Sequence, residues 1–103
     1  MTNLFSPNEQ DKNTEQFDTL LQTPRIHIEK ITSHGQTSDE WYEQDRDEWV
    51  VLIEGEGKLL FEHNQEVMLK KGEHIYIPRM KKHKVIYTSS PAVWLAIYFD
   101  TVQ

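Results

Sequence analysis

The sequence has no cysteine. That excludes a disulfide framework, a thiolate metal site and a cysteine nucleophile, and a cytoplasmic setting is the expectation. Cations are scarce: eleven Lys and Arg stand against seventeen Asp and Glu, for a formal net charge of -6. A nucleic-acid backbone is a poor partner for such a chain, because phosphate binding needs clustered Lys and Arg. The cations that do gather, at Lys70-Lys71 and between Arg79 and Lys84, make either a solvated turn surface or a lip that attracts an anionic ligand. No apolar run approaches the roughly 20 residues of a membrane-spanning helix, so no membrane partner is expected. The opening MTNLFSPNEQ has neither the basic start nor the apolar centre of a signal peptide. No serine sits at a strand-to-helix elbow, so a Ser-His-Asp set cannot be argued. No helix follows Gly55 and Gly57, so they do not form a phosphate-binding loop.

What is present fits one domain of short strands. The chain has 103 residues, of which 37% are hydrophobic, and its mean hydropathy is -0.70. Three Trp, four Tyr and four Phe offset that polarity, since each buried ring removes a large area from water. The densest pattern runs from Asp47 to His83. Glu54-Gly55-Glu56-Gly57 joins the apolar runs Trp49–Ile53 and Leu59–Phe61. His63-Asn64-Gln65-Glu66 leads into Val67–Leu69, and Lys71-Gly72-Glu73 leads into Ile75–Ile77, which Pro78 stops. Short strands at this spacing, with Gly or polar turns between them, predict an all-β sandwich or barrel.

Ahead of that region, Met1–Thr14 reads as a loosely attached arm with Leu4 and Phe5 as an anchor. Phe17, Leu20 and Leu21 fall at i, i+3, i+4, which predicts one or two helical turns over Glu15–Gln22, ended by Pro24. Residues 1–24 are thus set apart as an N-terminal arm from a β domain over 25–103. Arg25–Ser33 is a strand with Ile26 and Ile28 on one face; Ile31 falls out of step, which predicts a bulge near Glu29-Lys30 or a change of exposed face. His34-Gly35 is a turn or strand end, and Gln36–Tyr42 reads as a short strand. Asp39–Glu48 carries six acids and one Arg. Among them Glu48 has a case for pointing inward, because it shares period-two parity with Val50 and Leu52. Lys84–Thr88 is a further strand, with His83, Val85 and Tyr87 on one face.

Two strands are apolar on both faces. Val50 and Leu52 oppose Trp49, Val51 and Ile53; Val93, Leu95, Ile97 and Phe99 oppose Trp94, Ala96 and Tyr98. A strand of that kind is covered on both sides. One short arm hides little of such a surface, so a homodimer is expected.

The turns and spacings resemble the cupin superfamily, in its small single-domain bacterial form. The first cupin motif has paired His, a Glu three or four residues on, then six residues and a Gly. Glu48, six residues and Gly55 match its second half, while the paired His positions fall on Tyr42 and Gln44. The second motif has Gly, five residues, Pro, a further Gly two on and a His three on. Gly72, Pro78 and His83 match, and Met80 stands where the second Gly is expected. The resemblance runs from about Ile26 to Phe99. It implies an antiparallel jelly-roll β-barrel, open at one end, and one divalent metal ion (Zn, Fe, Ni or Mn) held inside.

Carried over position by position, the implied metal ligands are Tyr42, Gln44, Glu48 and His83. Glu48 and His83 are ordinary ligands for a first-row divalent ion; Gln44 offers a weak carbonyl oxygen, and Tyr42 binds poorly unless ionised. His34, on the preceding strand, could reach the same cavity and complete a set of two His and one carboxylate; otherwise it is a turn histidine. His27, His63 and His74 read as surface residues. The other reading of Glu48 and His83 is a buried pair in a metal-free barrel, completed by Gln44. Trp41, Tyr42 and Tyr87 are expected to line the mouth and meet a small organic ligand. Two functions remain open on these residues. One is a metal-dependent oxygenase, isomerase or lyase on an oxygen-rich substrate, with Tyr42 as a proton-donor candidate. The other is a non-catalytic binding or structural cupin without metal.

Overall fold

The computed structural model describes residues 3–6 and 13–100. They form eight strands: β1 (Gln16–Gln22), β2 (Ile26–Ser33), β3 (Asp47–Glu54), β4 (Glu56–Phe61), β5 (Gln65–Lys70), β6 (His74–Ile77), β7 (His83–Thr88) and β8 (Ala92–Phe99). All pairing is antiparallel, in a five-stranded sheet ordered β1-β2-β8-β3-β6 and a three-stranded sheet ordered β5-β4-β7. The core joins the two sheets: Val50, Leu52, Ile77, Trp94 and Ala96 from the larger pack with Leu59, Phe61 and Leu69 from the smaller. Consecutive strands β3 and β4 belong to different sheets, so Gly55 is a corner. Its φ of 81° suits glycine, and a Cβ there would run into Pro91 O and Ser89 Oγ.

Three local expectations are corrected. First, Glu15–Gln22 is not helical; Gln16–Gln22 is the edge strand β1, and no helix occurs among the described residues. The register of β1 on β2 slips between Thr19 and Leu21, so one extra residue sits opposite Glu29 and Ile28. That bulge switches parity: Phe17 pairs with Ile31 on one face, Leu21 with Ile28 on the other. The resulting spacing of Phe17, Leu20 and Leu21 imitates a helical stripe. Second, β2 carries no bulge and pairs with β8 without interruption from Ile26–Phe99 to Ser33–Ala92; the bulge lies in β1, and of the two alternatives for Ile31 it is the change of face that holds, Ile28 lying outward and Ile31 inward. Third, Gln36–Tyr42 is an irregular segment beside β7 rather than a strand. Ser38 N donates to Val85 O, Ser38 Oγ accepts from Val85 N, and only Tyr42 makes a β-bridge, to His83. A serine side chain taking the backbone's place in the ladder explains the interruption.

The arm expected over Met1–Thr14 is described only at Asn3–Ser6 and Asn13-Thr14; the rest lies outside the described residues. Leu4 and Phe5 border a cleft on the outer face of the larger sheet, where Lys30 Nζ donates to Ser6 O at 3.0 Å. Beyond that cleft the middle of the outer face is apolar, with Asp47, Tyr76 and His74 towards the β6 side. Ile28 pairs with Ile97, Ile97 with Trp49, and Leu95 with Val51, and all of these are only half-buried.

Candidate functional site

The inner face of the larger sheet is built in cross-strand rows. Ile31, Trp94 and Leu52 form one row, Glu29, Ala96 and Val50 the next, and His27, Tyr98, Glu48 and Ile77 the last. The rows are apolar in the middle of the sandwich and polar at one end. A cavity of about 220 Å³ opens there, between Val50, Ile77 and Trp94 on one wall and Leu59 and Val85 on the other. It has the space of roughly seven waters, which suits a compact organic molecule. Gly57 leaves space for the ring of Trp94 on this wall, because a Cβ at that position would strike it.

Glu48 and His83 meet inside it. Glu48 opens onto the cavity from β3 and His83 from β7, and both are buried. Glu48 Oε1 lies 3.7 Å from His83 Nε2 and accepts a hydrogen bond from Gln44 Nε2 at 2.6 Å. Gln44 is fixed in turn through its carbonyl, which accepts from Met80 N at 2.7 Å. His83 Nδ1 contacts Lys81 O at 2.9 Å. A carbonyl only accepts, so Nδ1 carries the proton and Nε2 turns its lone pair to the cavity.

Burial is the largest influence on both groups. It raises the Glu48 carboxyl from 4.5 to about 7, against the Gln44 hydrogen bond that lowers it and with help from the nearby Glu29 charge. Burial likewise lowers the His83 imidazole below its ordinary value, although the Lys81 carbonyl opposes this. The pair is therefore poised between a neutral acid and imidazole on one side and a carboxylate on the other, close to neutral pH.

Of the residues singled out in the sequence, Tyr42, Gln44, Glu48 and His83 all border this cavity. Tyr42 is at its rim, half exposed, with its ring 6.0 Å from that of His83. Trp41 and Tyr87 do not line it. Trp41 is turned outward under Lys84 Nζ, 4.8 Å from its ring centre. Tyr87 is displaced by a register slip: Leu59 pairs with Val85, but Lys58 pairs with Tyr87, so the strand's parity reverses after Val85. His34 is also elsewhere. It borders the outer cleft with Lys30 and Thr32, and its backbone N–H is held by Gln36 Oε1.

Several site residues escaped the sequence. Glu15 and Phe17 reach the cavity from the start of β1, where Ser33 Oγ donates to Glu15 Oε2. Tyr98 lines the cavity, and its hydroxyl donates to Glu29 Oε1 at 3.3 Å. Burial first, then the Glu48 and Glu29 charges, push the Tyr98 phenol far above its ordinary value, so it stays protonated. His27 is not a surface residue; it shares the inner face with Glu29 and packs edge-on against Tyr98. Asp47 is buried as well, outside the cavity, where it accepts from Tyr76 OH at 2.7 Å and Arg79 N at 3.0 Å.

The donor set is a poor match for the implied metal. A first-row ion at a catalytic centre is usually held by about three strong protein donors. Here Glu48 and His83 are the two such groups that meet; Glu15 borders the cavity from the β1 side but is bonded by Ser33 Oγ, and Gln44 points its amide nitrogen at Glu48. Among the described residues no three His, Asp or Glu side chains gather in a way that could hold a metal ion.

The family follows from comparison. The Cupin domain model matches residues 29–98. The crystal structure of a candidate mannose-6-phosphate isomerase from Ralstonia eutropha JMP134 is 31% identical, covers 98% of this chain and 98% of its own, and superposes with a TM-score of 0.90. A cupin superfamily protein from Desulfitobacterium hafniense DCB-2 is 20% identical over 91% of this chain and 84% of its own, with a TM-score of 0.80. The DMSP lyase DddQ from Ruegeria pomeroyi DSS-3 is 14% identical over 86% of this chain and 48% of its own, with a TM-score of 0.74; likenesses at these lower identities are likenesses of fold. No curated protein sequence matches the chain. The chain belongs to the cupin family. Among the described residues no helix is long and apolar enough to cross a membrane.

Proposed function

We propose that this cupin binds a small polar molecule directly, through Gln44, Glu48 and His83, without a metal ion between protein and ligand. The observation that carries this reading is the Glu48–His83 pair: a carboxyl and an imidazole lone pair, 3.7 Å apart, facing one cavity from two different sheets. Such a pair can donate to one ligand oxygen and accept from another, while Trp94, Val50 and Leu59 cover the apolar parts. The same two groups can also pass a proton to or from a bound molecule, since the Glu48 carboxyl sits at about 7. An isomerase or lyase step that needs only proton transfer is therefore open to the site. An oxygenase would need a metal and a further donor.

Trp94 supplies the test. A ligand entering the cavity perturbs its emission, and Trp94→Phe identifies that part of the signal. The expected result is that compounds which shift the emission lose their effect in Glu48→Ala and His83→Ala while the fold is retained. Undiminished binding by both variants would overturn the reading.

We further infer that a second copy of the chain covers the apolar outer face of the five-stranded sheet. Ile28, Trp49, Val51, Leu95 and Ile97 are half-buried in a single chain, and the described part of the N-terminal arm reaches only the cleft beside Lys30.

A further inference from the structure

The polar row on the inner face continues past Glu48. Tyr98 lies opposite Glu48 on one side and opposite His27 on the other. Its ring meets that of His27 edge-on, with centroids 5.9 Å apart and an interplanar angle of 73°. Its hydroxyl donates to Glu29 Oε1, and the second oxygen of Glu29 lies 3.3 Å from His27 Nε2. The two do not form a hydrogen bond, and His27 Nε2 is buried without a hydrogen-bond partner. Between Glu29 and Val50 the row holds only Ala96, fully buried, and its small side chain leaves Glu29 space to reach diagonally to Tyr98. Tyr98 borders the cavity, whereas Glu29 and His27 stand behind it. The Tyr98–Glu29 bond, at 3.3 Å, is long beside the ~2.7–2.8 Å usual for a hydroxyl donor. A hydroxyl on so long a bond can turn its proton to an oxygen in the cavity that Tyr98 borders.

The charges around the cavity point the same way. Glu15 and Glu48 line it and Glu29 backs it, while among the described residues no Lys or Arg lines it. Three cations of the Arg79–Lys84 segment are engaged elsewhere: Lys81 Nζ lies 4.7 Å from the centre of Phe61, Lys84 covers Trp41, and Lys82 Nζ lies 3.8 Å from Glu43 Oε2. A phosphate in this space would meet carboxylates and no cation.

We propose that Tyr98, positioned by Glu29 and His27, is a second ligand contact facing the Glu48–His83 pair, and that the cavity takes an uncharged hydroxyl- or carbonyl-bearing molecule and rejects its phosphate. This rests on the reading of the cavity as a small-molecule site and adds its ligand class. Tyr98 touches the ligand; Glu29 and His27 act through it.

The test titrates D-mannose, D-fructose and glycerol, each beside its monophosphate, against the ¹⁵N-labelled protein, following the amide signals of Gln44, Glu48 and Tyr98. The expected result is that a neutral compound moves these signals and its phosphate binds at least about tenfold more weakly. Tyr98→Phe should then weaken the neutral compound about tenfold, the scale of one lost hydrogen bond, while the amide spectrum away from the cavity stays that of the folded wild type. Glu29→Gln keeps an acceptor oxygen and should stay within about threefold of wild type; Glu29→Ala should lose as much as Tyr98→Phe. A phosphate that binds more tightly than its neutral parent, or full affinity in Tyr98→Phe, overturns this inference and leaves the binding reading standing. Silence of all six compounds at the cavity counts against both.

Discussion

Glu48 and His83 stand 3.7 Å apart although they open strands of different sheets, β3 in the larger and β7 in the smaller. Their contact is a seam between the two layers, so the protonation of the pair feeds directly into the stability of the sandwich.

The carboxyl end of that seam gives the first prediction. Glu48 holds its proton more tightly folded, at about 7, than unfolded, near 4.5. Its contribution to stability is full below pH 4.5 and is lost as the pH rises through 7, by on the order of 3 kcal/mol. His83 acts in the opposite sense: its lowered folded value makes its contribution present above its unfolded value and lost as the pH falls. The difference between wild type and Glu48→Gln isolates the acid. Denaturant unfolding at several pH values should show that difference shifting in favour of the variant between pH 4.5 and 7. A difference that stays flat across this interval would contradict the assignment.

Met80 gives the second. It occupies the position at which cupins have a glycine, and its φ is 66°. A side chain in that left-handed region costs roughly 1 kcal/mol, which glycine avoids at some cost in unfolded-state entropy. Met80→Gly should raise stability by up to about 1 kcal/mol and Met80→Ala should not, read as the midpoint of thermal unfolding. Because Met80 N holds Gln44 O, the glycine variant should keep ligand affinity. A lower melting temperature in Met80→Gly would show that the methionine side chain stabilises this corner.

The outer face gives the third. Sedimentation at micromolar concentration should return twice the chain mass of 12.3 kDa, and Ile97→Lys, which puts a charge among Ile28, Trp49 and their neighbours, should return the single mass. A wild-type mass of 12.3 kDa would rule the pairing out.

Where the sequence was legible, turn chemistry made it so. Gly55, Gly72, Pro78 and the His63-Asn64 turn punctuate β3 to β6, and the resemblance to the cupin motifs placed Glu48 and His83 by their spacing from Gly55 and Pro78. The failures have two physical causes. Bulges hide parity: the slip after Thr19 made an edge strand look helical, and the slip after Val85 turned Tyr87 out of the site. Double-sided apolarity hides direction: Ile26 and Ile28 looked like the core face of β2, which assigned His27 to the surface, yet they belong to the outer apolar face and His27 to the inner one. Tyr98 was lost in the same way. Ala96 was the available clue, a small residue where the strand must leave room for its neighbours.

The central claim is that Glu48 and His83 serve a ligand directly. The most direct measurement is the metal content of the purified protein after exposure to Zn, Fe, Ni or Mn ions and dialysis. The account predicts well below one equivalent for wild type, with no difference in Glu48→Ala. One equivalent retained by wild type and lost in Glu48→Ala or His83→Ala would contradict it.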